Sequence, residues 1–387
     1  MNELYDFILF ENYHQAQHHK IDLVLIARML QSQGRRVAIL NIYGEDCVKE
    51  IEGIEIINLP FKAELPQYHK IKFLGKIEFL IWQNIYYKKV IKYITPLAKN
   101  FYFGSYHVQM PTELFKINKP CFYWGLRSSR MTGFKRMIKK QDFIIVLHAI
   151  KQKQLFMRNP KQCLFVSNEI IKTEFENIGI SANRLIIREE RCIEHETSSN
   201  VDKCSTHPSF LVIGQLRKQK NLPTTIAAFK QANIPDAKLW LIGRSQSKYE
   251  IEIAEAINND DRIERNNSFL EYEDFLNYYT KSHFVLFADE EGDSCITNGT
   301  FTEALIRHRP VIAPNYNPYS HYINKYGVGI LYNPKDINSY ARALKKAVEL
   351  GVAHFHPNID KFLKEIMFDK VSLNLMENIV NNGIVNL

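Results

Sequence analysis

Cysteine is scarce and scattered: six residues in 387, with no C-x-x-C pair and no Cys/His set at structural-zinc spacing. That excludes a disulfide scaffold and a zinc module, and fits thiols kept in a reducing compartment. No apolar run approaches the roughly 18 residues of a membrane-spanning helix. The opening stretch MNELYDFILFENYH carries Glu3 and Asp6 and a short apolar run, which is not a secretory signal. Also missing are G-x-x-x-x-G-K-[ST], which excludes a P-loop, and G-x-G-x-x-G after the first strand, which excludes ordinary dinucleotide binding. Neither H-E-x-x-H nor G-x-S-x-G occurs. The expectation is a cytoplasmic protein able to sit peripherally on the inner face of the cell membrane.

What is present is an ordinary globular composition, 45% hydrophobic and 24% charged, in a chain long enough for two domains. The net charge of +8 is unevenly placed. Residues 1–200 hold 29 Lys+Arg against 20 Asp+Glu, residues 201–387 hold 21 against 22, and residues 62–161 hold 20 against 4. A basic first half implies an anionic partner. Residues 67–100 interleave seven Lys with seven aromatics, and residues 127–140 add six basic groups without an acid. Such helices suit an anionic lipid surface, or equally a solvated helix with an aromatic core face. Lys88, Lys89, Arg127 and Arg130 mark the acceptor or membrane side. No nucleic-acid recognition motif accompanies the charge, so no nucleic-acid partner is expected.

The hydrophobic pattern alternates. YDFILF (5–10) reads as a buried strand, KIDLVLIARMLQSQG (20–34) as a helix closed by Gly34, and 35–44 and 54–60 as further strands. Residues 101–107, 120–125, 143–148 and 162–167 are also strand candidates. The polar stretch 194–208 is a linker. A second alternating set follows: strands at 209–216, 237–243, 283–288 and 310–314, helices at 222–232, 247–258, 300–308 and 337–350. Two successive sets predict an α/β protein of two doubly wound domains facing a central cleft. The expected bounds are 1–200 and 207–358, with a C-terminal helix at about 360–387 packing back on the first domain.

Two places suit phosphate. Gly214 ends a strand, and Lys220 precedes a helix whose start Asn221 and Pro223 mark. A helix N-terminus with Arg217, Lys218 and Lys220 nearby can hold a diphosphate, though a solvated basic turn looks the same in sequence. In TNGTFTE (297–303), Asn298 and Gly299 allow close backbone approach, and Thr300 with Glu303 spells a capping box.

The second half resembles the retaining glycosyltransferases of family 4, which have the GT-B architecture of two Rossmann-like domains. VIGQLRKQKNLPTTIAAF looks like the family's strand, G-R-L-x-x-x-K-G and helix; AKLWLIG like its L-x-I-x-G; EALIRHRPVIAP like E-A-M-A-x-G-x-P-V-I-A; and YGVGILYNPKDINSYARALKKAVE like its closing segment. FVSNEIIKTEFENIGISANRLII (165–187) is similar to the end of its acceptor domain. The likeness covers most of 143–350. Two departures stand out. Gln215 replaces the family's Arg. The paired glutamates, which have seven residues between them in the family, are disrupted: ungapped spacing from Glu303 puts Cys295 at the first, and Glu291 or Asp293 would fill it only with a longer loop.

The resemblance implies transfer of a sugar, with retention, from a nucleotide diphosphate sugar to a glycan or lipid-linked glycan, in assembly of surface polysaccharide such as lipopolysaccharide or capsule. It implies no cofactor and no metal. Lys220, Arg217, Asp293 and His107 would act at the reacting centre. Gly214, Gln215, Asn298, Gly299, Thr300, Glu303 and Glu291 would hold the donor, Glu303 at the ribose. A nucleotide-sugar epimerase and a non-catalytic binding subunit of the same architecture remain open.

Overall fold

The computed structural model describes residues 4–10, 17–42, 53–61, 72–106, 110–125, 143–188, 192–194, 205–289 and 299–385. The chain divides into two compact units, one made of Met1–Glu190 with Phe368–Leu387 and the other of Arg191–Met367.

The first unit is built on a parallel seven-stranded sheet. Its strands are β1 (Tyr5–Phe10), β2 (Val37–Asn41), β3 (Glu55–Asn58), β4 (Ala98–Ser105), β5 (Cys121–Trp124), β6 (Gln162–Val166) and β7 (Leu185–Ile187), in the order β3-β2-β1-β4-β5-β6-β7. Its helices are α1 (Gln17–Ser32), α2 (Lys72–Ile94), α3 (Phe143–Arg158) and α4 (Glu169–Asn177). The central strands carry continuous aromatic and aliphatic runs because both faces are covered. Phe7, Phe101, Phe103, Phe122 and Phe165 are buried, and Phe122 stacks on Phe165 with ring centroids 5.2 Å apart.

The stretch 143–148, expected as a strand, is the first turn and a half of helix α3. Its apolar opening imitates a buried strand, but burial follows helical spacing: Val146, Ala149, Gln152 and Phe156 face inward while Leu147 is exposed. Gln152 Nε2 donates to the Met110 carbonyl at 2.5 Å, and His148 Nε2 lies 2.9 Å from the same oxygen. Packing against the turn at Thr112–Lys116 therefore decides the conformation over local β propensity.

The second unit holds β8 (Ser209–Ile213), α5 (Leu222–Ala232), β9 (Lys238–Ile242), α6 (Ser247–Ile257), β10 (Ile263–Asn266), α7 (Tyr272–Lys281), β11 (Phe284–Leu286), α8 (Gly299–Ile306), β12 (Val311–Pro314), α9 (Tyr319–Tyr326), β13 (Gly329–Tyr332), α10 (Ile337–Leu350) and α11 (His356–Glu365). Its six parallel strands run in the order β10-β9-β8-β11-β12-β13. The order reverses between β8 and β11, which pair through Phe284 with Phe210 and Val285 with Leu211. In a doubly wound sheet the crevice for a ligand opens beyond the carboxyl ends of the two strands at this reversal.

The last helix, α12 (Phe368–Asn381), belongs to the first unit. Val371, Leu375, Met376 and Ile379 are buried, and the helix packs on α1 and β7. The two ends of the second unit are tied together by a parallel bridge between Ile193 and Met367, with the Ile193 amide donating to the Ile366 carbonyl at 2.9 Å.

Candidate functional site

The site in the second unit begins with backbone. β8 runs out into Gly214 at φ +103°, and β9 into Gly243 at φ +124°. A Cβ on Gly243 would stand 2.0 Å from the Gly214 carbonyl oxygen, and one on Gly214 would meet Thr300 Cγ2 at 3.4 Å. The exits of two strands and the first turn of α8 thus come into close contact, with the Gly214 and Gly243 amides donating to the Ile242 and Asn266 carbonyls at 3.1 and 2.9 Å.

Arg265 fixes this junction from behind. Its Nη1 donates to the carbonyls of Leu241 and Gly243, each at 2.9 Å. Its Nε and Nη2 grip Glu250 Oε1 and Oε2 at 2.9 and 2.8 Å. Burial pushes the Glu250 carboxyl up, but Arg265 and Ser245 donating to it prevail, so it titrates below its ordinary value.

Lys220 ends a single 3₁₀ turn, Lys218–Lys220, after which Asn221 takes a left-handed conformation and α5 starts with a proline in its first turn. Its ammonium is half-buried and donates to the Ile213 carbonyl at a long 3.4 Å. Burial draws its pKa below that of an ordinary lysine; Asp289 opposes the shift and Arg217 adds to it. Arg217 is exposed and folded onto Gln215 Oε1, with Nε at 3.0 Å and Nη2 at 2.6 Å. Lys218 turns to Glu252 on α6 at 2.8 Å. The three basic residues that look equivalent in sequence therefore have different surroundings, and of the three Lys220 is the one set at the strand reversal.

α8 begins at Gly299, so Thr300 lies inside its first turn and not at the cap expected from the T-x-x-E spelling. Glu303 is buried, and its Oε1 accepts from Arg307 Nε at 3.1 Å, one turn along the helix. Asn298, Glu291, Asp293, Cys295 and His107 lie outside the described residues, as do Arg127 and Arg130.

One group at the site did not stand out in sequence. Asp289 follows β11, the strand beside β8. Tyr319 Oη donates to Asp289 Oδ2 at 2.7 Å, Tyr316 Oη donates to its carbonyl, and Tyr332 Oη donates to the Phe287 carbonyl at 2.9 Å. Tyr332 in turn stacks flat on Tyr340 of α10, with centroids 3.8 Å apart. A carboxylate at the end of a strand is the available signal. Its place beside β8 depends on strand order, which residue spacing does not encode. Among the described residues no group of three His, Cys, Asp or Glu side chains gathers at metal-binding range.

In the first unit, α2 shows a distinct exposed face. At 100° per residue, Leu74, Ile81, Ile85, Lys88, Lys89 and Lys92 fall within one side of the helix, and all six are exposed, with the half-buried Glu78 on the same side. Ile81 and Ile85 expose 55% and 57% of their surface, more than a packed helix ordinarily leaves on adjacent turns. No helix among the described residues is long and apolar enough to cross a membrane.

Residues 195–359 match the family model of the glycosyl transferases group 1. No curated protein sequence matches the chain. Among solved structures, sucrose-phosphate synthase from Thermosynechococcus elongatus superposes with a TM-score of 0.67 at 14% identity, covering 97% of this chain and 98% of its own. The lipopolysaccharide outer core galactosyltransferase WaaB gives 0.66 at 13% identity, with 97% and 99% covered. HepE of Anabaena in complex with UDP gives 0.67 at 12% identity, with 97% and 100% covered. The chain has the two-domain GT-B fold, and the unit that holds Gly214, Lys220 and Glu303 is the one that matches the group 1 glycosyl transferases.

Proposed function

We propose that the protein is a retaining glycosyltransferase that moves a sugar from a nucleotide diphosphate sugar to a glycan or lipid-linked glycan in surface polysaccharide assembly. The observation that carries this reading is the half-buried Lys220 at the β8/β11 reversal, beside the glycine junction of Gly214 and Gly243. The leaving group is a nucleoside diphosphate, so the charge to be stabilised develops on its phosphates. Lys220, the amino-terminal turn of α8 and Arg217 once released from Gln215 would meet it with preorganised charge, and the mechanism calls on no metal. Glu303 would hold the ribose, Gln215, Asn298 and Gly299 would border the diphosphate, and Asp293 or Glu291 would contact the donor sugar. His107 would serve the acceptor side. The UDP carried by HepE in a structure of the same fold supports a nucleotide donor.

A thermal-shift screen against UDP, GDP, CDP and their sugars tests this directly. A ligand at about a hundred times its dissociation constant adds roughly 2.7 kcal/mol, and one nucleotide of the set is expected to raise Tm by several degrees. No shift with any of them would remove the donor assignment.

The exposed face of α2 supports placement on an anionic membrane, where a lipid-linked acceptor resides. Three aliphatic side chains followed by three lysines on one face are suited to bury the former among acyl chains and set the latter at the headgroups. Sedimentation with anionic liposomes is expected to carry the protein down, and neutral liposomes to leave it in solution. Lys88→Ala and Lys89→Ala should each weaken the partition about fivefold, at about 1 kcal/mol per charge. Equal, negligible binding to both vesicle types would refute the membrane placement.

A further inference from the structure

We propose that Tyr319 is a positioning residue for the first turn of α8: its hydroxyl anchors it to the exit of β11, and its ring fixes Phe301 beside the Thr300 that closes on Gly214. The inference rests on the donor site proposed above and adds a residue to it that the motifs leave out.

Tyr319 opens α9 and is buried. Its Oη donates to Asp289 Oδ2 at 2.7 Å. Its ring packs on Phe287 and Phe301, with centroids 5.1 and 5.8 Å away. One side chain thus joins the exit of β11 to the first turn of α8. The strand exit is a firm anchor. The Phe287 amide donates to the Ile312 carbonyl at 2.9 Å, the Phe287 carbonyl accepts from Tyr332 Oη at 2.9 Å, and the Asp289 carbonyl accepts from Tyr316 Oη. Tyr319 itself stands on a braced turn. The Asn315 amide donates to the Tyr332 carbonyl at 2.7 Å, and the Ser320 amide donates to the Tyr316 carbonyl at 3.0 Å.

α8 needs such an anchor. It has eight residues, and a helix this short is held by packing more than by its own hydrogen bonds. Tyr279 Oη reaches the Thr300 carbonyl at a long 3.4 Å. The grip on the turn is Phe301, a buried ring that meets Phe287 at 5.8 Å, Tyr319 at 5.8 Å and Tyr322 at 5.7 Å. The neighbouring Thr300 is already in close contact with Gly214, since its Cγ2 lies 3.4 Å from a Cβ built there. A shift of Phe301 therefore changes how α8 meets the glycine junction. Where fixed groups meet a ligand, a displacement of about 1 Å can cost up to about a hundredfold. A nucleoside diphosphate has more phosphate to place against this turn than its monophosphate, so it feels the displacement more.

The experiment is calorimetric titration with UDP, GDP and CDP, then with the monophosphate of whichever binds most tightly. The readout is the ratio of the monophosphate to the diphosphate dissociation constant. A merely structural loss leaves that ratio alone, because both ligands meet the same folded fraction. Tyr319→Leu is expected to shrink it about tenfold, and Tyr319→Phe, which keeps the ring and loses the anchor, about threefold. Phe229→Leu is the control. This buried ring of the same unit packs on Phe210 with Arg262 over it, and its loss should leave the ratio at the wild-type value. An unchanged ratio in Tyr319→Leu, or an equal shrinkage in Phe229→Leu, would overturn the inference. Should Tyr319→Leu not fold, Tyr319→Phe must still shrink the ratio, or the inference is again overturned. A wild type that binds none of the three diphosphates, or binds the best of them no better than its monophosphate, would instead overturn the donor reading itself, and this proposal with it.

Discussion

Lys220→Ala is expected to lower turnover with the identified donor by about a hundredfold or more, the usual consequence of removing one preorganised group from developing charge, at about 3 kcal/mol or more. The reason is placement as well as charge. Arg217 is exposed and tied to Gln215, and Lys218 is paired with Glu252, so neither stands ready to take over. A loss expressed in kcat, with a smaller change in KM, would mark an interaction made mainly in the transition state. The fold should be untouched, because the Lys220 ammonium makes one long bond to a carbonyl. Turnover within a few-fold of wild type would remove Lys220 from the reacting centre.

Gly243→Ala is expected to destabilise the second unit by about 3 kcal/mol or more and to abolish nucleotide binding. Two causes add. The backbone at φ +124° is one that alanine does not adopt without strain, and the new Cβ would stand 2.0 Å from the Gly214 carbonyl oxygen. Neither partner can yield easily, since both are main chain and Arg265 braces the Gly243 carbonyl at 2.9 Å. Gly351→Ala in the same unit is the control. Its φ of +72° with ψ of 160° also disfavours alanine, but nothing lies within 4 Å of the added atom, so backbone strain alone, about 1–3 kcal/mol, is expected, with nucleotide binding retained. Hydrogen exchange localised to residues 209–266 separates the two variants. Equal protection in both would show that the strand exits do not pack as described.

The sequence displays β8, α5, β9 and α6 plainly because each apolar run is punctuated by its own stop: Gly214 after β8, Asn221 and Pro223 before α5, Gly243 after β9. It misleads at 143–148, where an unbroken apolar opening matches a buried strand as well as a helix; the exposed Leu147 beside buried Val146 and His148 is visible only after packing. β10 escapes notice because it is an edge strand with Ile263 alone fully buried. At the site, Gly214 and Lys220 are legible because local turn chemistry marks them. Asp289 is not, because its meaning depends on β11 lying next to β8, and that neighbourhood joins segments some seventy residues apart. The tyrosines that hold it, Tyr316 and Tyr319, come from the turn after β12 and the start of α9 and are likewise invisible one segment at a time.

The return of α12 to the first unit has a consequence for synthesis. A chain made from the amino end completes residues 191–367 before Phe368–Asn381 leaves the ribosome. The second unit has all its strands by then, while the first still lacks the helix that buries its own Val371, Leu375 and Ile379 and packs on α1 and β7. The first unit therefore closes after the second. Until it does, the first unit is an unfinished body, and a stop codon shortly after residue 367 would spare the second unit while leaving the first open.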